Sequence, residues 1–103
     1  MYRAIGLEEY NSLRDIKKFE VEPGVSASVK YFGVSRKETE KFASLAYNVH
    51  VVSVVRVLVK KKELLEFADF TPLDEFLFKA GTVTIDEADL NKLNKSIVRL
   101  DFM

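Results

Sequence analysis

The sequence predicts a single α+β domain over residues 1–103, with a mixed, mostly antiparallel sheet and a few short helices. Three observations carry this. A chain of 103 residues suits one domain and can bury a core without disulfides or metals. Period-two runs such as "VSASVKYF" and "NVHVVSVVRVLVK" alternate with helically spaced stretches such as "LEEYNSLRDI". Strict βαβ alternation breaks down in the second half, which favours a mixed sheet over a doubly wound parallel one.

Each element has its own signature. Tyr2 to Ile5 is a short β-prone run closed by Gly6. Leu7, Tyr10, Leu13 and Ile16 fall about one turn apart, so an amphipathic helix follows. Glu22-Pro23-Gly24 is a turn, because proline presets φ and glycine accepts positive φ. In "VSASVKYF", Val25, Ala27, Val29 and Tyr31 share one side of a strand that Gly33 breaks. Ser35 stands three residues before Glu38, the capping-box spacing, and Phe42, Leu45 and Ala46 form the buried stripe of the next helix.

The valine run is the strongest strand signal. Val49, Val51, Val55, Val57 and Val59 line one face, and His50, Val52, Val54, Arg56 and Leu58 the other. Apolar residues on both faces predict a central strand covered on both sides. "KKKELLEFADF" reads as a charged turn followed by a short helix or an irregular segment, "DEFLFKAG" as a strand ended by Gly81, and "TVTI" as another short strand. "DEADLNKLNK" is a helix with Asp86 at its N-cap, and "SIVRLDF" is the last strand.

Composition bounds the function. Lys+Arg and Asp+Glu balance at 16 each, so no net charge draws the chain to nucleic acid or to anionic membranes. The absence of cysteine excludes disulfides, thiolate metal sites and cysteine nucleophiles. The N-terminal stretch lacks the pattern of a signal peptide, and the longest apolar run is too short and polar to span a bilayer. The expectation is a soluble cytoplasmic protein. His50 is the sole histidine, which leaves no recognisable metal set, and a structural role at a strand start is expected for it. No GxGxxG or Walker A sequence occurs. Lys60 to Lys62 are neutralised by Glu63 and Glu66 and read as a solvated turn. Phe67, Phe70, Phe76 and Phe78, set among acids, read as core residues.

Three residues at predicted strands deserve to be read together. Arg3 is either a solvent-facing group or an anion ligand. Ser35 is a helix cap or lines a cleft, and Glu75 is a surface acid or a ligand group. An arginine for a phosphate, a hydroxyl for a ribose and a carboxylate for a ribose hydroxyl would make a nucleotide-binding set.

The stretches "MYRAIGLEEYNSL", "KYFGVSRKETEKFA" and "LDEFLFKAGTV", joined by "VVSVVRVLVKKKELLE", resemble a minimal ADP-ribosyltransferase-like domain of the Arg-Ser-Glu type. The second motif is reduced, with Ser35 alone after Gly33-Val34, and Leu73 stands where arginine-modifying members carry a second Glu or Gln. The resemblance implies the ADP-ribosyltransferase-like fold and NAD as co-substrate. It implies that Arg3 binds the pyrophosphate or ribose and that Ser35 supports the nicotinamide-ribose pocket. It also implies that Glu75 is catalytic, bonding a ribose hydroxyl and stabilising the oxocarbenium-like transition state. The acceptor would be a protein. The alternatives are a non-catalytic α+β binding module, including a homodimer through an edge strand such as "SIVRLDF", and an immunity-type interaction protein.

Overall fold

The computed structural model describes residues 1–20, 29–45, 50–71 and 76–103. Its strands are β1 (Tyr2–Ile5), β2 (Val29–Gly33), β3 (Ser53–Val59), β4 (Thr82–Asp86) and β5 (Ile97–Phe102). Its helices are α1 (Leu7–Ile16), α2 (Arg36–Ala43), α3 (Lys61–Phe67) and α4 (Leu90–Ser96). A 3-10 turn over Glu87–Asp89 leads into α4, and the Asp86 carboxylate caps it by accepting the Ala88 N–H at 3.2 Å. The α+β class holds, and every neighbouring strand pair is antiparallel, in the order β4-β2-β1-β3-β5.

Two expectations about elements are corrected. Residues 76–80 form turns, not the strand expected from "DEFLFKAG"; positions 74 and 75 lie outside the described residues. With no strand at 76–80, the described helices and strands alternate, yet the sheet is antiparallel. The strand order explains this. β2 and β3 both run against β1, so they are parallel to each other and α2 is the crossover that spans β1. β4 and β5 are likewise parallel at opposite edges, joined by α4 across the other face. The valine strand begins at Ser53 rather than Val49, and His50 is an exposed turn residue.

Antiparallel partners share a face, which fixes the two sides of the sheet. Ile5, Phe32, Val55, Val57, Val83 and Ile85 form the inner face and are buried against Leu13 of α1, Leu64 of α3 and Leu90 and Leu93 of α4. Phe19, just after α1, packs edge-on against Phe32 at 5.4 Å. It is held there by Asn94, whose side-chain amide exchanges two hydrogen bonds with the Phe19 backbone at 2.8 and 2.9 Å. The outer face carries Tyr2, Ala4, Tyr31, Gly33, Val54, Arg56 and Thr82, and α2 covers its centre.

In β2, Val29 and Tyr31 share one side as expected, and that side faces outward and is exposed, whereas Lys30 and Phe32 are buried. The apolar row of a period-two strand is here the outer one, and Lys30 goes inward with Phe32. β3 is buried on its inner face; on the other, Val54 is buried and Leu58 is exposed, as is Val52 just before the strand. Phe70 and Phe76 are exposed too, against the expectation of core. No helix among the described residues is long and apolar enough to cross a membrane.

Candidate functional site

The sheet consists of two ladders joined at a narrow seam. β2 and β4 share five register pairs, β1 and β3 four, and β3 and β5 five. β1 and β2 share one, Tyr2↔Gly33. Continued, that register would set Arg3 opposite Phe32 and Ala4 opposite Tyr31, but the ladder stops. The Val57 N–H donates to the Met1 carbonyl at 2.7 Å, so odd-numbered residues of β1 bond to β3 and Tyr2 and Ala4 turn their backbone groups to β2. Across the seam, the Tyr31 carbonyl accepts from the Arg3 guanidinium at 3.1 Å in place of a strand amide.

Arg3 thus sits at the seam, and Glu9 on α1 holds it from the other side. The Arg3 Nε and Nη2 donate to the two Glu9 carboxylate oxygens at 2.7 and 3.0 Å. Lys30 reaches the same carboxylate at 3.4 Å and is 2 % exposed. Arg3 also lies over the Phe32 ring at 5.8 Å. Burial pushes the Glu9 carboxyl up, but the hydrogen bonds and attraction of Arg3, then of Lys30, outweigh it and leave the group below its ordinary value. Two cations against one carboxylate leave the cluster with one net positive charge.

On the outer face, the seam opens into an apolar cavity of about 290 Å³. Tyr2, Ala4 and Tyr31 form its floor, and Phe42, Leu77 and Phe78 are among its walls. Gly33 makes the closure possible. A Cβ there would collide with the Thr39 hydroxyl of α2 and approach the Phe78 ring to 3.1 Å. Phe42 and Phe78 pack together with ring centroids 5.5 Å apart. Thr82, 3 % exposed, lines the same space, and its hydroxyl has no hydrogen-bond partner among the described residues. An unsatisfied hydroxyl in an apolar cavity is a ready point for a ligand's polar group.

Ser35 caps α2 as its spacing predicted. Its hydroxyl accepts from the Glu38 N–H at 3.3 Å, and its carbonyl accepts from the Thr39 hydroxyl at 2.9 Å. The reciprocal half of the capping box is absent among the described contacts. Glu38 instead accepts from the Ala80 N–H at 3.0 and 3.3 Å, tying the 76–80 turn to α2 beside the cavity. Ser35 therefore stands two residues beyond the seam pair, with its oxygen turned into the helix end. Glu75 lies outside the described residues. Arg3 and Gly33 meet at the seam; Glu9, Lys30, Phe42 and Thr82 join them there, and sequence reasoning had missed all four as site residues. The legible signal was Gly33 itself, the glycine that ends a strand just before the next helix. Among the described residues, no group of three or more His, Asp or Glu could hold a metal ion.

Comparison of the chain with protein-family models, with curated proteins and with solved structures finds no match in any of the three.

Proposed function

We propose that the chain binds a dinucleotide of the NAD type at the seam, with the nicotinamide head in the apolar cavity and the pyrophosphate drawn to Arg3. The observation that supports this most directly is the break in the sheet at Tyr2↔Gly33. It opens an aromatic-walled cavity beside an arginine on the adjoining residue. The residues present suit such a head. Tyr2, Tyr31, Phe42 and Phe78 offer flat apolar surface, and the Thr82 hydroxyl offers one hydrogen-bonding group for a carboxamide. Arg3, which borders the cavity from the seam, carries its guanidinium to the inner face beside Glu9 and Lys30, so a diphosphate would reach it between β1 and β2, with Arg3 exchanging Glu9 oxygens for phosphate oxygens.

In this reading the chain is an ADP-ribosyltransferase-like domain, and Glu75 carries its chemistry. NAD supplies an activated glycosidic bond, cleaved with its electron pair leaving on nicotinamide while an acceptor or water oxygen bonds the same carbon and gives up a proton. The Glu75 carboxylate would stabilise the positive charge developing on the ribose.

A second reading, a module that binds without reacting, is favoured by how Arg3 and Ser35 are held. Glu9 and the Tyr31 carbonyl engage the Arg3 guanidinium at all three of its nitrogens, through three of its five N–H groups, and the Ser35 hydroxyl is used by the helix end. Two measurements separate the readings. NAD at a hundred times its dissociation constant should raise unfolding stability by about 2.7 kcal/mol. Arg3→Ala should weaken that binding by roughly tenfold or more through the lost charge-assisted bonds. Nicotinamide release above the level of Glu75→Gln supports transferase chemistry; binding without release supports the module. No thermal shift with NAD and no release sinks the NAD proposal.

A further inference from the structure

The two edges of the sheet differ. The outer side of β4 is occupied at Thr84, which exchanges two backbone hydrogen bonds with Asp69 at 2.8 and 2.9 Å. No described segment pairs with the outer side of β5. The hydrogen-bond phase fixes what that side offers. The Met103 N–H donates to the Val54 carbonyl at 2.9 Å, so by alternation Asp101 and Arg99 also bond inward, to Arg56 and Leu58. Leu100 and Phe102 consequently turn their N–H and C=O groups outward. Beside them stand Val98, Phe102 and Met103, which are 65, 39 and 42 % exposed.

We propose that β5 is the interface of a homodimer, pairing antiparallel with the same strand of a second copy about Leu100. The sequence of the strand is self-complementary in that register. Arg99 faces Asp101 of the partner subunit and Asp101 faces Arg99 of the partner subunit, while Val98 and Phe102 meet as an apolar pair. Arg99 is free to turn toward such a partner, being 65 % exposed, although it also bonds Asp101 of its own chain at 2.7 Å. The alternatives are disfavoured one by one. Sliding by one residue sets outward-turned groups against inward-turned ones. The nearest registers that keep the phase set Arg99 opposite Arg99, or Asp101 opposite Asp101, and like charges directly opposite are destabilising. The edge also lacks the lysine or proline that commonly blocks edge-to-edge pairing. Arg14 and Lys17 of α1 flank the groove beside β5, which makes an acidic extended peptide the competing occupant.

Sedimentation of the full chain from micromolar to millimolar concentration tests the interface, with no dependence on any ligand. The expected result is a monomer–dimer equilibrium. Arg99→Asp, which turns two opposite-charge pairs into like-charge pairs, should raise the dissociation constant by about tenfold or more. Val98→Lys, at an exposed position, should do so independently, with the circular dichroism spectrum of the wild type retained. A wild type that stays monomeric throughout the range overturns the proposal, whether or not it binds an acidic peptide. So does a dimer whose dissociation constant neither substitution changes.

Discussion

Lys17 closes α1 at φ 57°, in the left-handed conformation that a side chain with a Cβ adopts at a cost of about 1–2 kcal/mol. Its N–H still bonds the Leu13 carbonyl at 3.0 Å, so the helix end is satisfied and the strain is local. Lys17→Gly should therefore raise unfolding stability, by about 1 kcal/mol after the entropy of the freer unfolded chain is counted, in urea titration. Gly33 is the opposite case. Its conformation is ordinary and its space is not, because the Thr39 hydroxyl occupies the position of a Cβ. Gly33→Ala should cost about 1–3 kcal/mol as α2 and Phe78 are displaced. The same substitution should weaken any ligand seated in the cavity. Wild-type stability for this variant would remove the close approach of α2 as the reason for the glycine.

At the scale of elements, the Arg3–Glu9–Lys30 cluster fastens α1 to both ladders, since Arg3 belongs to β1 and Lys30 to β2. Glu9→Gln leaves two cations on the inner face without a counter-charge. It should destabilise by roughly 3 kcal/mol, toward the lower end of the range for broken buried pairs because Arg3 and Glu9 keep 15 % exposure. The pH dependence has a definite sign. A carboxyl whose folded pKa lies below its unfolded value contributes stability above that unfolded value, about 4.3, and loses it as pH falls through the folded one. Wild-type stability should therefore fall below about pH 4, and Glu9→Gln should lack this part of the fall. Equal acid slopes for the two proteins would remove Glu9 as the cause. The sequence hid this cluster for a physical reason. Lys30 lies in an alternating strand whose apolar residues, Val29 and Tyr31, nominated the other face for burial. The inner face of β2 is decided by Phe32 and by the counter-charge on α1, a tertiary contact with no local signature. The elements themselves were far more legible, because Leu13, Ser35, Asp86 and the valine run each act through period or capping. The exception was "DEFLFKAG", whose Phe76-Leu77-Phe78 looks like a strand but folds as turns with Phe78 over Gly33.

For the molecule as a whole, the consequence of the architecture is uneven cooperativity. The α+β class followed from the number and brevity of the elements, but the order β4-β2-β1-β3-β5 depends on which strands pair, and nothing local to β1 announces that its two sides are bonded so differently. β1 is fastened to β3 over four pairs and to β2 over one. Local opening draws on the least-bonded boundaries, so the two ladders should part at the seam before either unravels. The amides that report it are those of Tyr2 and Gly33, which by hydrogen-bond phase face each other across the seam. Those of Val55 and Val57, which bond into β1, report the intact ladder. In native-state hydrogen exchange Tyr2 and Gly33 should exchange at least about tenfold faster than Val55 and Val57, equivalent to an opening cheaper by about 1.4 kcal/mol. A ligand seated at the seam contacts both ladders and should narrow that gap by slowing the first pair selectively. Uniform protection of all four amides would mean that the sheet opens as one unit. The seam would then be a feature of register without a mechanical consequence.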